Sequence, residues 1–209
     1  MDGADRSLLR GEMDVVGTAA VSPASDPPAL AEDVSSKGPL AAIVLSFVLI
    51  AYDSNYDDVD LADYVPTSAR AILREIAARC PSTSAAGPRP DGFVSLLELI
   101  AVSRDRPIID IDFTTSPLAH RLAENVPLGP FPQPLFIGIG TCDEVVAPSI
   151  VDAYVDSLCA SGQPLEYRTY PDKTHMGVLQ DDDSALPADL EQWTRDRLNG
   201  LPPANTCTA

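Results

Sequence analysis

The chain has 209 residues, 45% of them apolar, which is enough to bury a real core and rules out a wholly disordered polypeptide. Its 14 basic and 31 acidic side chains give a net charge of -17, which repels phosphate backbones and anionic headgroups, so nucleic acid is not an expected partner. The start, Met1-Asp2-Gly3-Ala4-Asp5-Arg6, is polar and acidic and lacks a signal-peptide pattern, which implies an intracellular protein or one whose true beginning lies elsewhere.

In chain order, E-M-D-V-V-G-T-A-A predicts a strand over Glu12–Ala20 with Val15 and Val16 central, and Val21–Pro28 reads as the loop leaving it. A helical turn is expected over Ala29–Asp33. Leu40–Ala51 is apolar on every side except Ser46 and falls short of the roughly 20 residues of a membrane span, so no transmembrane segment is expected and the run reads as a buried helix. That helix is either ordinary core or the wall of an apolar substrate pocket. Thr67 or Ser68 caps a helix with Ala69, Ile72, Leu73, Ile76 and Ala77 on one stripe, stopped at Cys80-Pro81. After a Ser/Gly/Pro loop, Asp91 caps another with Phe93, Leu96, Leu97 and Ile100, and Ser116-Pro117 starts a third with Leu118 and Leu122. Residues 29–130 are therefore expected to be a helical insertion between strands.

The most informative stretch follows. P-L-F-I-G-I-G-T-C-D reads as a strand buried on both faces, ending in a turn that presents Asp143. Pro148 then opens a helix with Val151, Tyr154, Val155, Leu158 and Cys159 on one face, closed by Gly162. Leu165–Tyr170 alternates apolar with charged residues, which suggests a strand nearer an edge, and Pro171–Thr174 delivers His175. A last helix from about Pro187 packs through Leu190, Trp193 and Leu198, and a short tail carries Cys207. An acid and a histidine leaving successive parallel strands in that order are two members of a Ser, Asp, His triad.

In that arrangement Asp143 accepts the Nδ1 proton of His175, which acts as general base. Glu144 and Asp172 are rivals for the acid, Asp172 reading better as a turn residue. On spacing alone His175 is equally a base or an incidental surface histidine, and His120, inside a helix, reads as a packing or surface residue. Cys142 resembles a nucleophile only superficially and reads as a small buried residue. A nucleophile elbow needs G-x-S-x-G, and no such pentapeptide occurs. Ser46 and Ser95 both fall within helical runs. The four cysteines, Cys80, Cys142, Cys159 and Cys207, have no metal-ligand or redox-pair spacing and are compatible with disulfides without requiring them.

Taken together, V-V-G-T-A-A-V-S-P-A-S-D, A-A-I-V-L-S-F-V-L-I-A-Y with the later Cys80, P-L-F-I-G-I-G-T-C-D-E-V-V, D-S-L-C-A-S-G before Y-R-T-Y-P-D-K-T-H, and the terminal W-T-R-D-R-L-N-G-L-P-P-A-N-T-C resemble the secretory lipase family of the α/β-hydrolase fold, Candida antarctica lipase A-like, over its C-terminal portion. The resemblance implies an α/β architecture of a few parallel strands flanked by helices, with 1–28 and 131–209 as a partial core and 29–130 as a helical cap over an acyl pocket. It implies lipid-ester hydrolysis through Asp143, His175 and a serine that should lie upstream of residue 1, with no metal or other cofactor and a lipid ester or acyl chain as substrate. It further implies an extracellular or cell-envelope setting, a Cys159–Cys207 disulfide, and a partner for Cys80 in the absent portion. The alternative is a catalytically inactive lipid- or protein-binding module of the same fold. A few-stranded sheet also leaves an exposed edge through which chains could associate.

Overall fold

A computed structural model describes residues 14–37, 39–78 and 109–207. Strand β1 (Thr18–Val21) is shorter than the strand predicted over Glu12–Ala20 and runs one residue past it. Its ladder opens with the Thr18 N–H on the Pro134 carbonyl (3.0 Å) and closes with the Ser22 N–H on the Gly138 carbonyl (2.8 Å). The neighbouring strand offers nothing to pair with earlier, so Val15 and Val16 precede the sheet, and Val16 is 41% exposed. Glu12 and Met13 lie outside the described residues.

The helices begin where the sequence supplies a cap or a proline. Helix α1 (Pro27–Ser35) extends the expected turn, with Asp26 Oδ1 accepting the Ala29 N–H at 3.0 Å. Helix α2 (Pro39–Asn55) outlasts the apolar run, and Ser54 and Asn55 donate back to the carbonyls of Ile50 and Ala51 (2.7 and 2.6 Å). Ser46 is buried within it and donates to the Ile43 carbonyl at 2.7 Å, which satisfies the one polar group in the run. The short α3 (Leu61–Tyr64), capped by Asp60, is too brief to show periodicity and was not expected. Helix α4 (Thr67–Ala78) buries Ala69 and Leu73 on the predicted stripe and packs on α2. Helix α5 (Pro117–Glu124) buries Leu118, Ala119 and Leu122, and its Leu118 N–H donates to the Tyr64 hydroxyl at 3.1 Å. The helix predicted over 91–100, Cys80 and Ser95 fall outside the described residues.

Contacts divide the chain into two compact units, Ala31–Glu124 and the segments on either side of it, Met1–Leu30 with Asn125–Ala209. The second unit holds the sheet. Strand β2 (Leu135–Gly140) is buried at all six positions, and after α6 (Pro148–Ala160) the chain returns as β3 (Leu165–Tyr170). The order is β1-β2-β3, all parallel, with Val21 opposite Gly138 and Gly140 opposite Tyr170. A single turn, α7 (Gly177–Gln180), and the longer helix α8 (Leu186–Leu198) complete the unit. This is part of an α/β-hydrolase fold, with parallel strands flanked by helices.

Helices cover both faces, which is why β2 has no polar positions. On one face Leu135, Ile137, Ile139 and Leu165 pack with Val151, Val155 and Leu158 of α6. On the other, Phe136 meets Trp193 of α8 with ring centroids 5.8 Å apart. Strand β3 lies at the edge of the sheet, as its alternation of apolar and charged residues suggested. Its Glu166 is nonetheless 5% exposed, because α8 lies over its face and Arg168 bridges it to Asp189 (2.8 Å to the latter). The other side of β3 is strapped by the tail: the Thr206 N–H donates to the Leu165 carbonyl (2.8 Å) and the Tyr167 N–H to Thr206 Oγ1 (2.9 Å). Cys159 and Cys207 are disulfide-bonded, with Cα atoms 5.3 Å apart. No helix among the described residues is long and apolar enough to cross a membrane.

Candidate active site

Parallel strands end on one side of a sheet, so the turns after β2 and β3 necessarily meet. The Thr141 N–H continues the ladder onto the Tyr170 carbonyl (2.9 Å), and the Cys142 N–H reaches the Lys173 carbonyl (3.0 Å). Gly140 is what permits that approach. A Cβ there would stand 2.1 Å from the Lys173 carbonyl oxygen, which is backbone and cannot rotate away. On the β3 side, Asp172 follows Pro171 at φ +59°, a left-handed turn position that aspartate tolerates, and its N–H is held by Thr141 Oγ1 at 2.9 Å.

These turns bring Asp143 and His175 together. His175 Nδ1 lies 2.9 Å from Asp143 Oδ2 and 3.1 Å from Oδ1. Asp143 Oδ1 also accepts the N–H groups of Val145 (3.0 Å) and Val146 (2.8 Å), so the carboxylate is fixed by its own turn before the imidazole reaches it. The Asp143 side chain is fully buried, whereas that of His175 is 28% exposed. Burial pushes the Asp143 pKa up, but the hydrogen bonds from His175 and the Val146 N–H outweigh it and hold the carboxyl below its ordinary value. His175 is raised above its ordinary value by the hydrogen bond its ring donates to Asp143, against an opposing effect of burial, with the Asp143 and Glu144 charges adding to the rise. With Nδ1 engaged, Nε2 is the ring atom left to exchange a proton with a substrate-side hydroxyl.

The rivals take other places. Glu144 accepts the main-chain N–H of His175 at 3.1 Å and so holds the loop that carries it. Asp172 is exposed at its turn, and His120 is exposed on α5. Cys142 differs from the expectation of a small buried residue: it is an exposed free thiol, because its main chain faces the Lys173 loop. Sequence reasoning missed the left-handed turn at Ser22, φ +44° where β1 ends, a buried residue whose hydroxyl has no hydrogen-bond partner among the described residues. The available signal was a serine directly between an apolar strand and a proline.

No protein-family model and no curated sequence matches the chain. Among solved structures, the X-ray structure of Candida antarctica lipase A superposes with a TM-score of 0.63 at 17% identity, covering 95% of this chain and 45% of that one. The same lipase in its closed state gives 0.62 at 21% identity with the same coverage. The chain thus spans a little under half the length of the structures it is similar to, and at that identity the similarity is one of fold.

Proposed function

We propose that this chain carries the acid and the base of a Ser-Asp-His hydrolase that cleaves lipid esters through an acyl-enzyme, with the serine supplied by polypeptide outside these 209 residues. The observation that carries the reading is the hydrogen bond from His175 Nδ1 to a buried Asp143 at the carboxyl ends of neighbouring strands, 2.9 Å long. The lipase-like fold supports it. In the reaction, Nε2 takes the hydroxyl proton as the serine oxygen forms a bond to the ester carbonyl carbon, and Asp143 stabilises the imidazolium. The same proton then passes to the departing alkoxide as the ester C–O bond breaks. Water repeats the sequence on the acyl-enzyme and releases the acid. The oxyanion donors, one of them the N–H after the nucleophile, lie with the serine. The Cys159–Cys207 disulfide suits an extracellular or cell-envelope setting.

The test compares p-nitrophenyl ester hydrolysis by the 209-residue chain with that of the chain extended by the in-frame polypeptide preceding it. The chain alone should not exceed background. The extended protein should hydrolyse the ester and lose on the order of 10⁴-fold or more of its rate in His175→Ala. Hydrolysis indifferent to His175→Ala, or rapid turnover by the chain alone, would overturn the reading. One observation favours a second reading, a catalytically silent lipid- or protein-binding module: the sequence has no G-x-S-x-G. That reading requires the chain alone to bind a fluorescent fatty acid equally well with and without His175.

A further inference from the structure

Along α6 the residues Asp152, Asp156 and Cys159 recur at helical spacing and share one face. With Tyr167 of β3 and Thr206 and Cys207 of the tail, they line a cavity of about 300 Å³. Asp152, Asp156 and Thr206 are exposed and the two cysteines half-buried, so the Cys159–Cys207 disulfide is reached from solvent through this cavity. A disulfide that a thiolate can reach is open to exchange. What the bond secures is the tail. Thr206 donates its N–H to the Leu165 carbonyl (2.8 Å) and accepts the Tyr167 N–H (2.9 Å), while Asn205 Oδ1 stands at a long 3.5 Å from the Leu165 nitrogen.

Two features of α6 bias such an exchange. Asp152 and Asp156 put negative charge into the cavity that holds the sulfurs, and the Tyr167 hydroxyl, which donates to Asp152 Oδ1 at 2.6 Å, satisfies one oxygen without neutralising that charge. Cys159 lies in the last turn of α6, where the helix carries partial negative charge, so a thiolate there is disfavoured relative to one on the tail. Cys207 is therefore the better leaving group.

We infer that the Cys159–Cys207 disulfide is a latch on the edge of β3 that opens by exchange with an aminothiol, which enters the cavity and bonds to Cys159 while Asp152 and Asp156 turn anionic thiols away. The aminothiol sulfur, as a thiolate, forms a bond to Cys159 Sγ. The Cys159–Cys207 bond breaks, and its electron pair leaves on Cys207 Sγ, which takes a proton from water. A second aminothiol thiolate then displaces Cys159 as a thiolate and departs as the small-molecule disulfide, so two thiols are oxidised and one protein disulfide is reduced. The freed tail no longer covers the outward groups of Leu165 and Tyr167. None of this depends on the proposed acid–base role of Asp143 and His175.

The experiment follows disulfide opening in the full chain at about 0.15 M salt, where the field of the net charge is screened beyond about 8 Å. Cysteamine and mercaptoacetate are the cationic and anionic probes. Wild type is compared with Asp152→Asn/Asp156→Asn and with a control, Asp57→Asn/Asp182→Asn, that removes the same charge from exposed sites elsewhere. Asparagine keeps the oxygen that Tyr167 uses, and the intrinsic reactivities cancel because the same two thiols are compared in every variant. The cysteamine-to-mercaptoacetate rate ratio should fall on the order of tenfold in the first variant and keep its wild-type value in the control. Peptides from acid-quenched samples should carry the first adduct on Cys159, and deuterium uptake at the Tyr167 amide should rise as the disulfide opens. A ratio unchanged in Asp152→Asn/Asp156→Asn, an equal fall in the control, a first adduct confined to Cys207, or a Tyr167 amide still protected in the reduced chain would each overturn the inference.

Discussion

Asp143 and His175 stabilise one another over a definite range of pH. The aspartate's folded pKa lies below its ordinary 3.8, so its contribution is present above that value and disappears as pH falls through the folded one. The histidine's folded pKa lies above its ordinary 6.5, so its contribution is complete below that value and disappears as pH rises through the folded one. Between those limits both groups are charged and the contact is a charge-assisted hydrogen bond. Asp143→Asn removes the charge and leaves an amide oxygen that the Val145 and Val146 N–H groups can still use. Its cost should be about 1–3 kcal/mol, greatest near pH 5–6 and smaller at pH 9, read as the difference in denaturant midpoint from wild type. In the same variant the His175 midpoint should fall, since burial then acts on the ring with less opposition. A pH-independent difference, or a His175 midpoint that does not move, would show that the two side chains are not coupled in solution.

At the scale of elements, what was legible in the sequence was whatever depended on local pattern. Leu135–Gly140 announces itself because six consecutive buried positions leave no polar alternation, and Asp143 and His175 follow because each sits a fixed few residues past a strand end. What depended on a neighbour was not legible. The start of β1 is set by where β2 begins, and the burial of Glu166 by α8 lying across β3. The tail belongs to this second class. Nothing in L-P-P-A-N-T-C has strand character, yet Thr206 occupies the outer hydrogen-bonding groups of Leu165 and Tyr167 and the disulfide fixes it there. Protecting an edge in this way removes a template for strand addition. Cys207→Ser opens a cross-link spanning 48 residues, for which the chain-entropy account gives about 4 kcal/mol, so a loss of about 2–4 kcal/mol is expected. Hydrogen exchange should lose protection selectively at the Tyr167 amide. Unchanged protection there would mean that Thr206 holds β3 without the cross-link.

For the molecule as a whole, the opposite side of the sheet is where association between copies is to be tested. Among the described residues only β2 pairs with β1. The N–H groups of Thr18 and Ser22 point toward β2, so by alternation those of Ala19 and Val21 point the other way, and Ala19 is exposed. Such an edge favours strand-to-strand association between copies, while a net charge of -17 opposes it. Salt separates the two effects, because the Debye length shrinks from about 30 Å at 0.01 M to about 3 Å at 1 M and leaves backbone hydrogen bonding untouched. Sedimentation velocity should therefore show a smaller species at low ionic strength and progressive association as salt is raised. Ala19→Pro removes the outward N–H without touching a bond to β2 and should suppress that association while the far-ultraviolet circular dichroism stays as in wild type. Association that persists in Ala19→Pro would assign it to another surface, and association that weakens with salt would mean that charge complementarity, not the sheet edge, drives it.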